Sequence, residues 1–425
     1  MRRPPLPPGP WLVVGLARSG IAALEVLSAR GEQARGVDRR QGDDTPAALE
    51  HVRAVVKSPG VPAEAPVIAA ARERGLPVLG EVELAWRLIP NEFIAVTGTN
   101  GKTTTTELIG HIHREAARPA AVAGNVGTAL SSLVGHLAPD ATVVCEVSSF
   151  QLEDAVEFAP EGAVLLNLAP DHIDRHGTFE AYTAAKLRVF AHQGNDDVAV
   201  APLGLGVEDL GGCARRVCFG DGPQAELSDR AGQLWWGEEP LIAVEDLTLR
   251  GLHNRRNAMA AAAICLARGI EPDAVRSALR TFGGVEHRLE EVATVDGVRF
   301  VNDSQGTQPD AVVAALEAFE APVVLIAGGR DKAQRFEALA AAARGRVKAA
   351  ILIGEGRATS GPALRAVTRV EDAESMGEAV RRAAALAAPG DVVLLSPACA
   401  SFDMFRDYEH RGAVFTEEVR ALPEP

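Results

Sequence analysis

The stretch Phe93-Ile-Ala-Val-Thr-Gly-Thr-Asn-Gly-Lys-Thr-Thr-Thr-Thr106 decides the fold of the region around it. Its apolar start predicts a buried strand, its two glycines predict a tight turn, and its threonines predict the start of a helix. Such a turn directs backbone N–H groups and the positive end of a helix toward a phosphate. Lys102 can reach the outer phosphates, and Thr103 can offer a hydroxyl to Mg²⁺. Because Val96 stands where the strict phosphate-loop pattern has glycine, this is a shorter variant. It predicts a nucleoside triphosphate site, and the alternative is a glycine-rich surface turn.

Composition limits the class of protein. The chain has 425 residues, of which 47% are hydrophobic and 24% charged, so we expect a globular protein of about two to four domains. Its net charge of −14 argues against a nucleic-acid partner, although a local basic patch could still bind a small anion. The five cysteines are scattered without a C-x-x-C pair, as is typical of a reducing compartment. Neither a signal peptide nor an apolar run of roughly 18 residues is evident. We therefore predict a cytosolic protein without membrane attachment, and we expect a monomer.

The first region has the pattern of a small parallel sheet. Trp11 to Gly15 predicts its first strand, and Ala17 then replaces the middle glycine of a dinucleotide fingerprint. Asp38 follows a second short strand, where an acid suits a sugar hydroxyl. Ser58 follows a third strand at the same edge of the sheet. The pattern favours a nucleotide-like ligand other than NAD. A site for NAD and a sheet without any ligand are the alternatives.

The central region carries further polar candidates. Glu146 ends a predicted buried strand beside the phosphate loop, where an Mg²⁺ ligand is usual, and a charge facing water is the alternative. The cluster from Asp171 to His176 favours a phosphate or Mg²⁺ loop over a transition-metal site. Lys186 lies in a predicted helix among small and apolar residues, unless it is an ordinary surface lysine. Asn254 and Asn257 share a helix face that could bind a purine, unless they only cap the helix.

The last region predicts a second parallel sheet. Four apolar runs, at 298–301, 323–327, 350–353 and 392–395, are mostly spaced widely enough for helices between them. Three of these runs end in polar, glycine-rich or serine-rich segments, which places the functional edge of the sheet there. These segments are Asp303-Ser-Gln-Gly-Thr307, Gly328-Gly-Arg-Asp-Lys332 and Ser396-Pro-Ala-Cys-Ala-Ser401.

Taken together and in order, the motifs resemble the Mur ligase family of amide-bond-forming enzymes. The segments Glu146–Glu153 and Leu395–Gly412 resemble the member of that family that adds D-glutamate to UDP-N-acetylmuramoyl-L-alanine. The resemblance covers nearly the whole chain. The other matching motifs are Thr97–Thr103, Gly124–Gly127, Asp171-His172, Asp174-Arg175, Ala185-Lys186, His253-Asn254 with Asn257, and His287-Arg288.

This resemblance implies an α/β fold of three domains. The first, residues 1–82, would be Rossmann-like and bind the UDP substrate. The second, residues 83–285, would be a phosphate-loop ATPase domain. The third, residues 286–425, would be Rossmann-like and bind D-glutamate. The implied reaction is ATP-dependent amide formation through an acyl phosphate, with release of ADP and phosphate, in cytoplasmic peptidoglycan precursor synthesis.

The resemblance also implies a role for each matching residue. Thr103 and Glu146 would hold one Mg²⁺, and His172 and a carbamate on Lys186 would hold a second. Lys102 would complete the catalytic set of Glu146, His172 and Lys186. The implied ATP contacts are Gly98, Thr99, Asn100, Gly101, Lys102, Thr103, Thr104, Asn254, Asn257, Arg288 and Asp303. Those for the UDP substrate are Arg18, Ser19, Asp38, Arg40 and Ser58, with Asn125 near its reacting end. For D-glutamate we expect Thr307, Lys332, Ser401 and Tyr408.

One departure and three alternatives accompany this interpretation. The family usually has Asp-Ser-Lys-Ala-Thr-Asn where this chain has glutamine at Gln305 and Gln308, so the roles of these two positions are open. A folylpolyglutamate synthase would share the ATPase loop, but the first region and the segment Ser396–Gly412 argue against it. A GTPase switch would need an Asn-Lys-x-Asp loop, which is absent from the sequence. A dinucleotide oxidoreductase would need an intact glycine fingerprint.

Overall fold

The structure, a computed structural model, describes residues 3–125, 127–206, 209–330 and 336–423. Lys332 lies outside the described residues, as does the side chain of Asp174. The chain forms two compact units, one up to Gly283 and one from Gly284 onward. Both are mixed α/β structures with parallel-rich sheets, which confirms the predicted fold class. The division into three domains, and the Rossmann-like description of the first and third, stay predictions.

The first unit begins with a four-stranded parallel sheet in the order β2-β1-β3-β4. Its strands and helices are β1 (Trp11–Val14), α1 (Arg18–Ala29), β2 (Ala34–Val37), β3 (Ala54–Lys57), α2 (Pro66–Glu73), β4 (Val78–Gly80) and α3 (Glu81–Leu88). Strands β1 and β3 are apolar except for Lys57 and are buried along their whole length, as expected for strands covered on both faces. The chain leaves β1 on one side for β2 and later returns on the other for β3. This arrangement opens a crevice at the carboxyl ends of these strands.

A nine-stranded sheet follows in the same unit, in the order β13-β12-β11-β10-β9-β8-β5-β7-β6. Strands β5 to β11 pair in parallel, and β12 and β13 add two antiparallel strands at one end. The last four strands were not predicted, because they mix charged and apolar residues and are partly exposed. The strands are β5 (Phe93–Thr97), β6 (Ala120–Gly124), β7 (Thr142–Glu146), β8 (Gly162–Leu165), β9 (Val198–Pro202), β10 (Arg215–Asp221), β11 (Leu227–Arg230), β12 (Gln233–Trp236) and β13 (Glu239–Ala243).

In the described part of the chain, six helices accompany the nine-stranded sheet. They are α4 (Lys102–Glu115), α5 (Ser149–Leu152), α6 (Ile173–His176), α7 (Phe179–Leu187), α8 (Leu252–Ala267) and α9 (Pro272–Thr281). Helix α8 is buried without a break from Asn257 to Leu266, and this part is rich in alanine. Small side chains allow a helix to approach its neighbours closely, and α8 packs against both α4 and the strands beneath it.

The second unit is a six-stranded sheet in the order β14-β15-β19-β16-β17-β18, in which only the edge strand β14 is antiparallel. The four predicted strands are present, and the two additional ones, β14 and β18, are partly exposed and rich in charged residues. Apolar cores lie on both faces of the sheet. The elements are β14 (Glu290–Val295), β15 (Val298–Asn302), α10 (Pro309–Glu317), β16 (Val323–Gly328), α11 (Glu337–Ala343), β17 (Val347–Ile353), α12 (Gly356–Thr359), α13 (Gly361–Arg365), β18 (Arg369–Asp372), α14 (Met376–Leu386), β19 (Val392–Leu395) and α15 (Tyr408–Arg420).

Candidate active site

The predicted phosphate loop connects β5 to α4 and is packed against α8. Gly101 has a φ of +86°, and a Cβ atom there would lie 2.2 Å from Oδ1 of Asn257. Glycine therefore allows both the left-handed turn and the close approach of the asparagine. Asn257 also donates a hydrogen bond to Oδ1 of Asn254, at 3.4 Å, so the two amides share a helix face as expected. The N-cap of α8 is Gly251, so neither asparagine is the N-cap residue.

Lys102 lies inside the turn of the loop. Its ammonium group donates to the carbonyl oxygens of Gly98, at 3.0 Å, and Thr99, at 2.8 Å. Asn167 holds the loop from outside, because its amide exchanges two hydrogen bonds with the backbone of Asn100. Asn167 was not predicted from the sequence. Its place just after β8, beside β5, was the available signal, since the carboxyl ends of parallel strands share one edge.

Glu146 connects the loop to the strand next to it. Its Oε2 accepts a hydrogen bond from the hydroxyl of Thr103, at 2.7 Å, and its Oε1 accepts one from the amide of Asn125, at 3.0 Å. Only 4% of Glu146 is exposed, so the alternative of a strand-end charge facing water is wrong. A carboxylate and a hydroxyl at hydrogen-bonding distance are oxygen ligands of the kind that Mg²⁺ prefers. Thr103 and Glu146 therefore have the right chemistry for Mg²⁺ beside the phosphate loop.

Lys186 is buried and reaches the same loop. Only 2% of the residue is exposed, and its ammonium group donates to the carbonyl oxygen of Gly98, at 2.7 Å. Burial, together with the positive charge of Lys102, lowers the pKa of Lys186 to about 7. The alternative of a surface lysine is therefore wrong. A neutral amine at this position is able to react with CO₂, so the environment suits a carbamate.

Tyr182 is a site residue that the sequence analysis missed. Its hydroxyl lies 2.9 Å from Oγ1 of Thr99, and the Lys186 ammonium lies 4.6 Å from the centre of its ring. Burial raises the pKa of Tyr182 to about 12, so the phenol stays protonated. Its spacing of four residues from Lys186 on one helix was the available signal.

His172 also lies near Tyr182 and is the N-cap residue of α6. Its backbone has a φ of +51°, and its ring centre lies 4.8 Å from that of Phe150 and 6.5 Å from that of Tyr182. The side chain is 47% exposed, and its Nε2 lies 3.5 Å from the Asp171 carboxylate. Among the described residues, no group of three or more His, Cys, Asp and Glu side chains could hold a metal ion. A metal at His172 would therefore need further ligands of another kind, such as a carbamate, phosphate or water oxygen.

The crevice of the four-stranded sheet contains the residues expected to bind the UDP substrate. The Asp38 carboxylate accepts hydrogen bonds from the backbone N–H groups of Leu16, at 2.7 Å, and Arg40, at 2.9 Å. The N–H groups of Arg40 and Leu16 hold the pKa of Asp38 below its usual value. Both carboxylate oxygens thus support the crevice walls, a role that the sequence did not indicate. The side chain of Ser58 donates to the carbonyl oxygen of Gly15, at 2.6 Å.

Arg18 extends from the start of α1 to the larger sheet. Its guanidinium donates to the carbonyl oxygen of Asn125, at 2.9 Å, and Asn125 is itself bonded to Glu146. The structure therefore joins the crevice to the phosphate-loop site through one residue. Ser19, the next residue of α1, is half-buried, and Arg40 is exposed.

In the second unit, the remaining predicted residues within the described part of the chain follow β15 or β19, except Arg288, which precedes β14. Burial raises the pKa of Asp303 to about 6, while its Oδ2 accepts a hydrogen bond from Ser396, at 2.6 Å. Arg288 donates to the side-chain oxygen of Gln305, at 3.3 Å. The other predicted residues are Thr307, which is half-buried, Ser401, which is buried, and Tyr408, whose carbonyl oxygen accepts a hydrogen bond from Ser304.

Arg411 joins these segments and was missed from the sequence. It is fully buried, and its guanidinium donates to both the hydroxyl and the carbonyl oxygen of Ser304 and to the carbonyl oxygen of Cys399. Burial lowers the pKa of Arg411 to about 10, so it remains a cation at neutral pH. An arginine in a long surface helix gives no sequence signal of burial.

Comparisons with known proteins show the family of the chain. A family model described as the Mur ligase middle domain matches residues 96–207, and one described as the Mur ligase glutamate ligase domain matches residues 287–399. The UDP-N-acetylmuramoylalanine–D-glutamate ligase of Pelotomaculum thermopropionicum is 42% identical, with 97% of each chain covered. The protein of the same name from Koribacter versatilis is 40% identical, again with 97% of each chain covered. The chain belongs to the Mur ligase family.

Solved structures share the fold of this Mur ligase at low sequence identity. UDP-N-acetylmuramate-alanine ligase MurC of Thermotoga maritima has a TM-score of 0.58 and 18% identity, with 98% of this chain and 100% of that chain covered. FolC of E. coli, solved with DHPP and ADP, has a TM-score of 0.57 and 18% identity, with 80% of this chain and 92% of that chain covered. Because these two fold relatives carry different names, fold alone does not identify the substrate.

No helix in the described part of this Mur ligase is both long enough and apolar enough to span a membrane.

Proposed function

We propose that this Mur ligase joins D-glutamate to UDP-N-acetylmuramoyl-L-alanine and converts ATP to ADP and phosphate in the process, as a step of peptidoglycan precursor synthesis. The observation that carries the proposal is the full-length similarity to relatives named for this activity. The site geometry supports the ATP-dependent half, because Lys102, Glu146 and Lys186 converge on one glycine-rich loop.

The reaction must first activate a carboxylate, which is a poor electrophile. The substrate carboxylate attacks the γ-phosphorus of ATP, so that an acyl phosphate forms and ADP leaves. The amine of D-glutamate then attacks the acyl carbon, the C–O bond to phosphate breaks, and the amine loses a proton. Lys102 would stabilise the negative charge of the transferred phosphoryl group, since its ammonium already lies within the loop.

Two Mg²⁺ sites are part of the proposal. Thr103 and Glu146 would hold one ion, and His172 together with a carbamate on Lys186 would hold the other. When bound, Mg²⁺ supplies positive charge that reduces the repulsion between a carboxylate and a triphosphate. The burial and lowered pKa of Lys186 support carbamate formation, in which the neutral amine adds to CO₂ and one proton is released.

The remaining predicted residues have proposed binding roles. Asn254 and Asn257 would contact ATP beside the loop, and the crevice lined by α1 would bind the uridine nucleotide, with Asn125 near its reacting end. For ATP in the second unit we propose Arg288 and Asp303. For D-glutamate we propose Thr307, Lys332, Ser401 and Tyr408. A three-domain organisation, a cytoplasmic location and a monomeric state complete the proposal.

An assay of ADP release tests this function. The protein is incubated with ATP, Mg²⁺, UDP-N-acetylmuramoyl-L-alanine and a panel of D- and L-amino acids. We expect ADP release that requires both the UDP substrate and D-glutamate. Release that depends on a folate and L-glutamate would instead support a folylpolyglutamate-type ligase, and ADP release that no amino acid stimulates would contradict a ligase altogether.

A further inference from the structure

The short helix α6, which follows His172, carries an arginine that contacts three separate segments. The guanidinium of Arg175 donates to the carbonyl oxygens of Pro59, at 3.2 Å, and Val61, at 3.4 Å. It also donates to the Glu153 carboxylate, at 3.1 Å. Pro59 and Val61 belong to the segment 58–61 after β3, whereas Glu153 follows α5 beneath the larger sheet. One side chain therefore spans the two sheets of the first unit.

On the side of the smaller sheet, the segment 58–61 forms a wall of the UDP-substrate crevice. Ser58 donates to the carbonyl oxygen of Gly15, and a Cβ atom on Gly15 would lie 2.7 Å from Cγ2 of Val61. The carbonyl oxygen of Val61 accepts hydrogen bonds from both Lys57 and Arg175. A displacement of this segment would therefore also displace the loop between β1 and α1.

On the side of the larger sheet, Arg175 contacts the surroundings of His172. Its guanidinium carbon lies 4.2 Å from the centre of the Phe150 ring, and that ring lies 4.8 Å from the ring of His172. The backbone N–H of Arg175 also donates to the carbonyl oxygen of His172, at 3.1 Å. The Glu153 carboxylate that Arg175 binds lies 3.2 Å from Nδ1 of His176, which secures the other end of α6.

We propose that Arg175 is a positioning residue that couples binding of the UDP substrate to binding of Mg²⁺ and ATP. The inference rests on the proposed function, because it assumes that the crevice binds the nucleotide sugar and that His172 belongs to the Mg²⁺ site. A guanidinium suits this task, since its rigid fork donates in several directions while its flat face stacks on an aromatic ring. A lysine would supply the positive charge, but it has neither the several N–H donors in fixed directions nor the flat surface that stacks on a ring.

Calorimetric titration tests the coupling without turnover. The dissociation constant of UDP-N-acetylmuramoyl-L-alanine is measured with and without Mg²⁺ and a non-hydrolysable ATP analogue. For the unmodified protein we expect it to fall by about fivefold or more when Mg²⁺ and the analogue are present. For Arg175→Lys and Arg175→Met we expect this dissociation constant to change by less than about twofold, because the contact between the segment 58–61 and the surroundings of His172 is lost. The hydrogen bond from Arg18 to Asn125 involves neither that segment nor α6, so it does not replace the lost contact.

Arg72→Met is the matched control. Arg72 also joins a carbonyl oxygen of the chain after β3, that of Ala63, to a carboxylate, that of Asp154. These two contacts of Arg72 involve neither α6 nor Phe150, so this variant should retain the coupling. Thermal unfolding of all variants identifies any that do not fold, and Arg175→Lys, the milder change, then provides the test.

Two separate readouts distinguish the possible failures. Retention of the full coupling by both Arg175 variants would overturn the inference. It would also be overturned if Mg²⁺ and the analogue left the affinity of the unmodified protein for the UDP substrate unchanged. Equal loss in Arg72→Met would also overturn it, because the effect would then be structural. The proposed function is judged independently, by D-glutamate-dependent ADP release from the unmodified protein.

Discussion

At the scale of single residues, two lysines donate to the same oxygen but have different properties. Both Lys102 and Lys186 donate to the carbonyl oxygen of Gly98. Lys186 is the residue whose pKa falls to about 7, because it is buried and faces the charge of Lys102. Lys186 thus reaches the neutral amine form far more readily near neutral pH than the same side chain does in the unfolded chain.

Replacing Lys102 by alanine should abolish ADP formation. The ammonium group lies within the phosphate loop, whereas the crevice proposed to bind the UDP substrate lies at a different sheet. Calorimetry should therefore show that Lys102→Ala binds the UDP substrate within about twofold of the unmodified protein, while the rate falls by at least roughly a hundredfold. Equal loss of both properties would contradict the assignment of the two sites.

Lys186→Ala should lose activity and regain part of it with added short carboxylic acids. If Lys186 acts as a carbamate, a small carboxylate can occupy the space and replace its oxygens. The assay compares acetate and propionate with chloride at equal ionic strength. Mass spectrometry of the unmodified protein after carbamate trapping gives a second measurement. Full activity of Lys186→Ala without any added acid would exclude the carbamate.

Lys332→Ala should raise the KM for D-glutamate by at least roughly tenfold, with little change for ATP. D-glutamate brings two carboxylates, and an unpaired charge in a closed site is costly. Because glutamine stands at Gln305, Lys332 is the cation expected to meet one of them. Gln305→Lys is the companion variant, and it should alter the KM for D-glutamate more than that for ATP. An unchanged KM for D-glutamate in Lys332→Ala would show that this assignment is wrong.

At the scale of elements, the segment after β15 combines burial with charge. The Asp303 carboxylate accepts hydrogen bonds from Ser396 and from the backbone of Leu289, and Ser304 next to it is held by the buried Arg411. Burial nevertheless dominates, so the pKa of Asp303 rises from 3.8 to about 6. At neutral pH the end of β15 therefore holds an ionised carboxylate in a buried position, which lowers the stability of the fold.

Asp303→Asn should therefore stabilise the protein at neutral pH. Since the folded state holds the proton of Asp303 more tightly than the unfolded state, stability is lost as pH rises from about 3.8 to about 6. The difference corresponds to roughly 3 kcal/mol at most. Thermal unfolding should show a higher midpoint for the variant than for the unmodified protein at about pH 7. The difference between the two midpoints should be smaller at about pH 4.5. A difference of the same size at both pH values would contradict the explanation. We also expect the ATP-dependent activity of Asp303→Asn to be lower than that of the unmodified protein.

At the scale of the whole first unit, buried charges join the two sheets. The ammonium of Lys57 lies 2.7 Å from the Asp154 carboxylate, and the two side chains are 0% and 2% exposed. The buried carboxylate of Glu83 accepts hydrogen bonds from the backbone of Val156 and Glu157. These contacts explain why the smaller sheet and the nine-stranded sheet form one compact unit.

Lys57→Met should destabilise the first unit by about 2 kcal/mol or more, because the buried Asp154 carboxylate loses the ammonium 2.7 Å away and, among the described residues, retains the half-exposed Arg72 as its ionic partner. Adding Asp154→Asn should recover at least half of that loss, since the carboxylate that Lys57 had paired with is then removed as well. Urea unfolding provides the measurement. Lys348→Met is the control, because Lys348 forms a similar pair with Asp391 but is 43% exposed, so its loss should cost about 1 kcal/mol or less. A cost as small for Lys57→Met would contradict the proposed role of the buried pair.

The sequence by itself determined the features that depend on neighbouring residues. The phosphate loop, the acid at the end of β7 and the shared face of Asn254 and Asn257 follow from local patterns of strand, turn and helix. Such patterns act over one or two turns of chain, and therefore they survive in any fold that forms those elements.

The tertiary structure alone decided which distant residues meet and which are buried. Lys186 reaches Gly98, 88 positions earlier in the chain, and the amide of Asn257 lies against Gly101. Arg411 is enclosed although its helix carries many charged residues, and β10 to β13 extend a sheet that their mixed composition did not predict. Burial and long-range contact depend on how the elements pack together. The lowered pKa of Lys186 and the three-way contact of Arg175 arise from that packing and have no local sequence signal.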